Sequence, residues 1–191
     1  MTMDFDGFSR LVREGDARHV LNSTMFFAIP SLFRSHPELY DEFRFELARS
    51  LRVPERGIAL VGSGQLGFSL NPHHLGRPVS DQSDLDVVIV SPPRFDSTWL
   101  ELNELQSEWF LEAIDKARIY RCREDLFWGF IRLEELPRRV SLVSEWFPVL
   151  DRLSIDPRFG RRKVSGRLYR TWEQVERSCI QSVNQIPAPT R

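Results

Sequence analysis

Apolar positions along this chain recur at two periods, and the change between them marks out its elements. Leu39, Tyr40, Phe43, Leu47 and Leu51 return at helical intervals, with Glu42, Arg44, Glu46 and Arg49 facing largely outward, so an amphipathic helix is expected there. Ser35 with Glu38 fits a capping box, Pro37 falls in the first turn, and Pro54 stops the helix. Two short apolar runs follow, at Ile58–Val61 and at 87–90, each of strand length. Upstream, Phe5, Phe8, Leu11 and Val12 predict a short helix ending near Gly15. The dense apolar stretch 17–33 reads as core and should end or kink at Pro30.

Beyond the second strand, Pro92-Pro93 is expected to break the chain. Thr98-x-x-Glu101 matches a capping box for a long helix to about Ala117, whose stripe of Trp99, Leu102, Leu105, Trp109, Ala113 and Ile114 should pack on the sheet. The aromatic segment 127–132 fits a strand or a turn of helix, and 134–137 a short terminated turn. Residues 141–153 are apolar, with Pro148 against a regular helix. Alternation over 163–169 sets Val164 and Leu168 apart from polar neighbours, as in a strand. A last helix is expected over 172–186, and the Pro-rich final five residues should be loose. The pattern is that of an α+β fold in one domain, residues 1–191. Its core is expected at about 37–117, with the basic strand and helices of 118–191 packed on it.

Composition narrows the functional classes. With 191 residues, 41% of them hydrophobic, the chain can bury a real core. A formal net charge of -1 gives no overall pull toward nucleic acid or membrane. Cys122 and Cys179 match no metal spacing and point to a reducing compartment. Asp4 and Asp6 stand where a secretory leader would carry positive charge, and no apolar run reaches transmembrane length, so a cytoplasmic protein is expected.

The chemistry concentrates between residues 57 and 91. Gly62-Ser63-Gly64 follows the first strand, and Asp84-Leu85-Asp86 opens the second. Alternation puts Asp84 and Asp86 on one face, about 7 Å apart, with Leu85 turned into the core. Two such carboxylates repel unless a cation sits between them, and an oxygen-rich, partly hydrated site suits Mg²⁺ (or Mn²⁺) bound with substrate phosphates. A Gly-Ser-Gly turn presents backbone N–H groups to those phosphates without side-chain bulk. Ser80, Asp81 and Ser83 crowd the approach to Asp84 and should orient the carboxylates, with Asp81 a peripheral ligand at most. His73, His74 and Arg77 lie in the loop between the two motifs, as solvated loop residues or nucleotide contacts.

Gly62-Ser63 followed by Ser83-Asp84-Leu85-Asp86-Val87-Val88 resembles the signature of the nucleotidyltransferase superfamily related to DNA polymerase β. Twenty residues separate Ser63 from Asp84, more than is usual there, and the surplus around 71–79 looks like an inserted loop. The resemblance implies a small mixed β-sheet flanked by helices and Mg²⁺-dependent transfer of an NMP from an NTP. The acceptor would be a protein hydroxyl, an RNA end or another nucleotide, in a setting such as bacterial toxin–antitoxin or phage defence. On this reading Gly62, Ser63, Gly64 and Ser83 hold substrate, and Asp84 and Asp86 are catalytic metal ligands.

The superfamily normally supplies a third carboxylate from a neighbouring strand, and no apolar-acid-apolar segment offers one cleanly. Asp125, Glu134 and Asp151 are possible substitutes. The strand at 162–170 is basic instead. Its Arg167 and Arg170 either neutralise a bound triphosphate or form a solvated face. Two alternatives therefore stand beside the enzyme: a nucleotide- or partner-binding module of the same fold with little or no catalysis, and an RNA adaptor using Arg161, Arg162 and Lys163.

Overall fold

The computed structural model of the protein describes residues 3–187. It is an α+β fold, a four-stranded mixed sheet flanked by helices. The strands are β1 (Ile58–Val61), β2 (Leu85–Val90), β3 (Phe130–Arg132) and β4 (Val164–Tyr169), in the order β1-β2-β4-β3. β1 runs antiparallel to β2, β4 parallel to β2, and β3 antiparallel to β4. The basic strand β4 therefore lies inside the sheet, and the C-terminal part of the chain builds the sheet rather than only covering it.

Alternation along these strands divides the interior in two. Ile58 and Leu60, then Leu85, Val87 and Ile89, then Val164 and Leu168 enter the main core. They meet side chains of α3 (Pro37–Leu51), α5 (Pro92–Ser107), α6 (Ala113–Trp128) and α7 (Ser141–Ser154), with Trp146 at the centre. The opposite face carries Ala59, Val88, Val90 and Tyr169 against Val175 of α8 (Trp172–Asn184). A third cluster joins α1 (Phe5–Glu14) and α2 (Ala17–Leu21) to Leu66, Phe68 and Val183. Full burial of one such side chain contributes about 1.5–3 kcal/mol, so these clusters, more than the four residues of β1, hold the sheet.

Local signals account for most boundaries. Asp4 caps α1, its carboxylate accepting from the Gly7 N–H at 2.8 Å, and α1 ends at Gly15. α2 passes into a π-helical turn, Asn22–Phe26, where the Ser23 and Thr24 hydroxyls both donate to the Val20 carbonyl. α8 opens on a capping box formed by Thr171 and Gln174. Pro148 sits inside α7 without ending it.

Several expectations are corrected. The N-cap of α3 is His36, and Ser35 makes no capping bond, because Glu38 turns to the His36 ring instead, 3.1 Å from Nδ1. Pro92 and Pro93 do not break the chain: they form the first turn of α5, where a missing N–H costs nothing. Thr98 is thus a buried mid-helix residue, and the helix expected to reach Ala117 is two helices separated at 108–112. Of the apolar stripe, Leu102 and Leu105 are buried, whereas Trp109 is 88% exposed and Ile114 60%. Segment 127–132 is both alternatives in succession, helix through Trp128 and strand from Phe130, with Gly129 at φ 79° between them. Of the C-terminal tail expected to be loose, Ala188 to Arg191 lie outside the described residues.

Candidate functional site

β1 ends where β2 begins, so the register sets Val61 opposite Asp86. The next residue, Gly62, has φ 67° and opens a short helix, α4 (Gly62–Leu66). A Cβ on Gly62 would stand 2.7 Å from Asp86 Oδ2. Backbone conformation and the carboxylate thus both require glycine here. This helix ends at Gly67, and within it Gln65 is a buried tie, donating to the Thr24 and Ala28 carbonyls of the π-helical turn and the residues after it.

On its other side β2 pairs with β4, and the register sets Asp86 opposite Ser165. The Ser165 hydroxyl donates to Asp86 Oδ1 at 2.6 Å. Among the described residues no donor reaches Oδ2. Asp86, Ser165, Arg167 and Tyr169 share the sheet face that α8 covers only in part, which leaves a cavity of about 390 Å³. Ser63 closes one end, Ser69 to Pro72, at the start of the insert, form one wall, and Ser178, Cys179 and Ser182 of α8 with its C-cap Gln185 form another. The insert is held there because Phe68 packs on Phe5 and Phe8 of α1, at ring-centroid distances of 5.6 and 5.4 Å.

The sequence-predicted residues divide into groups. Gly62, Ser63, Asp86 and Arg167 line this one cavity. Asp84 lies just before β2 and outside the cavity lining, its carboxylate 4.0 Å from Lys163 Nζ. Gly64 is buried against Leu60 and Leu32, a packing glycine. Ser83 orders its own loop: its hydroxyl accepts from the Ser80 N–H, and its carbonyl, with that of Ser80, accepts from Arg162, which also pairs with Asp81 at 3.2 Å. Arg170 lies at the other end of β4, its Nε 2.8 Å from Asp96. His73 and His74 stand exposed in a turn capped by Asn71. Asp125 is buried against Arg132, and Asp151 is exposed, so neither faces Asp86.

Sequence reasoning missed Ser165, Tyr169 and the hydroxyl and amide face of α8. The α8 face had a signal, since Ser178, Ser182 and Gln185 recur at helical spacing. Ser165 had none, because its place beside Asp86 follows from a parallel pairing across 79 positions.

The lining carries one anion, Asp86, and one cation, Arg167, whose guanidinium carbon lies 6.0 Å from the Phe130 ring centre. Burial raises the Tyr169 phenol, partly offset by a hydrogen bond with Ser178, and pushes the half-buried Cys179 thiol up to about 12 despite nearby Arg167. Both are neutral at physiological pH. The cavity thus offers hydroxyls, amides, one free carboxylate oxygen and one guanidinium.

Among the described residues there is no group of three or more His, Cys, Asp or Glu able to hold a metal ion. Asp86 Oδ2 is the carboxylate oxygen in this lining suited to a hard divalent cation that would draw its remaining ligands from phosphate and water, whereas Asp84 stands outside the lining. A scan against protein-family models finds none that matches the chain, and searches of curated proteins and of solved structures find no match. Among the described residues no helix is long and apolar enough to cross a membrane.

Proposed function

We infer that the cavity binds a nucleoside triphosphate with Mg²⁺ (or Mn²⁺), and that the chain is a nucleotidyltransferase. One observation carries the reading: the glycine turn at 62 touches the Asp86 carboxylate, so phosphate donors and an acidic ligand share one cavity. The bare backbone of Gly62 and the Ser63 hydroxyl would receive phosphate oxygens, and Arg167 would balance their charge. Asp86 and Asp84 would hold the cation, which when bound neutralises phosphate charge and orients the α-phosphate. An acceptor oxygen attacks that phosphorus, the bond to the β-phosphate breaks, pyrophosphate leaves and the hydroxyl proton passes to water. The acceptor is a protein, RNA or nucleotide hydroxyl, and the chain belongs in the cytoplasm, where NTPs are supplied.

The position opposite Asp86 favours a second reading. Ser165 stands there, and a hydroxyl already donating to a carboxylate is no general base. A nucleotide-binding module with little turnover fits that feature. Incubation with radiolabelled NTPs and Mg²⁺ or Mn²⁺ separates the two. Label transfer or pyrophosphate release that is lost in Asp84→Ala/Asp86→Ala supports the enzyme. NTP binding without turnover supports the module, and no binding by calorimetry sinks both.

A further inference from the structure

The far side of the molecule, away from the cavity, carries apolar surface that nothing in the described chain covers. α6 buries Asp115, Ile119, Cys122 and Asp125 and turns Ala113, Ala117, Tyr120, Glu124 and Phe127 outward. That outward row has alternating spacings of four and three, the spacing of a coiled-coil seam. Tyr120 is 72% exposed and Phe127 81%, while Trp109 and Phe110, just before the helix, are each 88% exposed. Trp99 of α5 lines a shallow pocket with Phe127, and the Trp128 ring lies 5.3 Å from that of Phe127. Isolated exposed apolar residues are ordinary, but a contiguous set marks an interaction surface. At about 150–250 Å² per aromatic side chain, six at these exposures offer roughly 900 Å² per protomer, close to the ~800 Å² each partner gives to a stable interface.

The order of residues along the seam selects the occupant. Suppose two copies of α6 pack antiparallel about a twofold axis through Tyr120. Small Ala113 then faces the partner's Phe127, Tyr120 faces the partner's Tyr120, and Lys116 faces the partner's Glu124. By symmetry the Ala113–Phe127 and Lys116–Glu124 contacts each occur twice, and the Tyr120 pair, on the axis, once. Trp109 and Phe110 extend the contact toward the partner's Trp128. A parallel pair would instead oppose Lys116 to its own copy and Phe127 to its own copy. Among the described residues neither Lys116 nor Glu124 has an ion-pair partner within the chain. Both are exposed.

We propose that this face is a self-association surface: two copies of the chain dimerise through antiparallel α6 seams. Small residues facing large ones and opposite charges in register fit a second copy of this chain.

Sedimentation equilibrium on the full chain tests this, with circular dichroism to verify folding. The expected result is a concentration-dependent dimer that becomes monomeric in Tyr120→Glu. Lys116→Glu alone and Glu124→Lys alone should each weaken the dimer about tenfold, since each puts like charges together twice, and the double exchange should restore it. Those two positions are about 12 Å apart along one helix, too far for rescue within a chain. A chain that stays monomeric at ~100 µM, including one whose patch instead holds a different protein, overturns the proposal. So does a dimer indifferent to Tyr120→Glu, or single charge variants that the double exchange does not rescue.

Discussion

The two faces of the sheet are built from the same strands and do different work. Toward α3, α5, α6 and α7, β2 presents Leu85, Val87 and Ile89, and that side is closed and apolar. Toward α8, the same strand presents Asp86, Val88 and Val90. There the cover stops short, and a carboxylate, a guanidinium and a set of hydroxyls line the space left open. Stability is thus concentrated on one face and candidate chemistry on the other, one residue apart along each strand. Changes on the closed face should alter folding with little effect on binding, and changes on the open face the reverse.

The largest effect is expected from Ser165→Asp on the open face. It would put a second carboxylate beside Asp86, in the position where the enzyme reading lacks a base. If proton removal is what limits turnover, Mg²⁺-dependent pyrophosphate release should rise by about 10²–10⁴-fold. Without a divalent cation the paired carboxylates should lower the melting temperature, and Mg²⁺ should restore it. Ser165→Ala, which leaves no new charge, separates charge from loss of the hydroxyl. Unchanged release in Ser165→Asp would discard the missing base as the explanation.

Next in size is Ile89→Ala on the closed face. Ile89 is fully buried, and its truncation should cost about 3 kcal/mol in urea-induced unfolding. The nucleotide dissociation constant of the folded protein should stay within about twofold of the parent. A large loss of affinity in this variant would mean that the two faces are coupled and the division fails.

Gly62→Ala belongs to both categories. Forcing a side chain to φ 67° costs about 1–2 kcal/mol, and its Cβ must also displace Asp86 Oδ2. The variant should therefore lose a modest amount of stability and most of its nucleotide affinity, read by calorimetry. Gly64→Ala is the contrasting control, because that Cβ meets Leu60 and Leu32 on the closed side. It should cost stability while the folded fraction keeps its affinity.

How much of this was legible in the chain depends on the range of the cause. β1, β2, β4 and α3 were visible because their periodicity is local, and the glycine turn and Asp86 because each adjoins an apolar run, whereas Asp84, read as the partner of Asp86, lies before β2 and outside the cavity lining. The break between α5 and α6 was hidden: Thr98-x-x-Glu101 imitates a cap, and Pro92-Pro93 serves equally to end one segment or to start another. The exposure of Trp109 was hidden for a related reason, since a helical stripe predicts burial only while the helix continues. At the site, Ser165 and the opposite placement of Arg170 follow from the parallel β2–β4 register, which no local pattern encodes.

The smallest effect concerns the two thiols, one on each face. Burial pushes Cys122, in the closed core, and Cys179, beside the cavity, each up to about 12. In the unfolded chain both return to the ordinary value of 9.0, so the folded state holds its protons to higher pH. Below pH 9 both states are protonated and stability is at its full value. From pH 9 toward 12 the unfolded chain alone ionises, and stability should fall by up to about 1.4 kcal/mol per pH unit for each thiol. Urea midpoints at pH 8, 9 and 10 would show the decline, and Cys122→Ala should remove its share of the slope. Reactivity separates the faces further. A thiol reagent should reach Cys179 through the cavity, slowly and faster as pH rises, and bound nucleotide should protect it. Cys122 should react only through unfolding, at a rate that nucleotide slows no more than it stabilises the fold. Equal reactivity of the two thiols in the native protein would show that the cavity face is as closed as the core face.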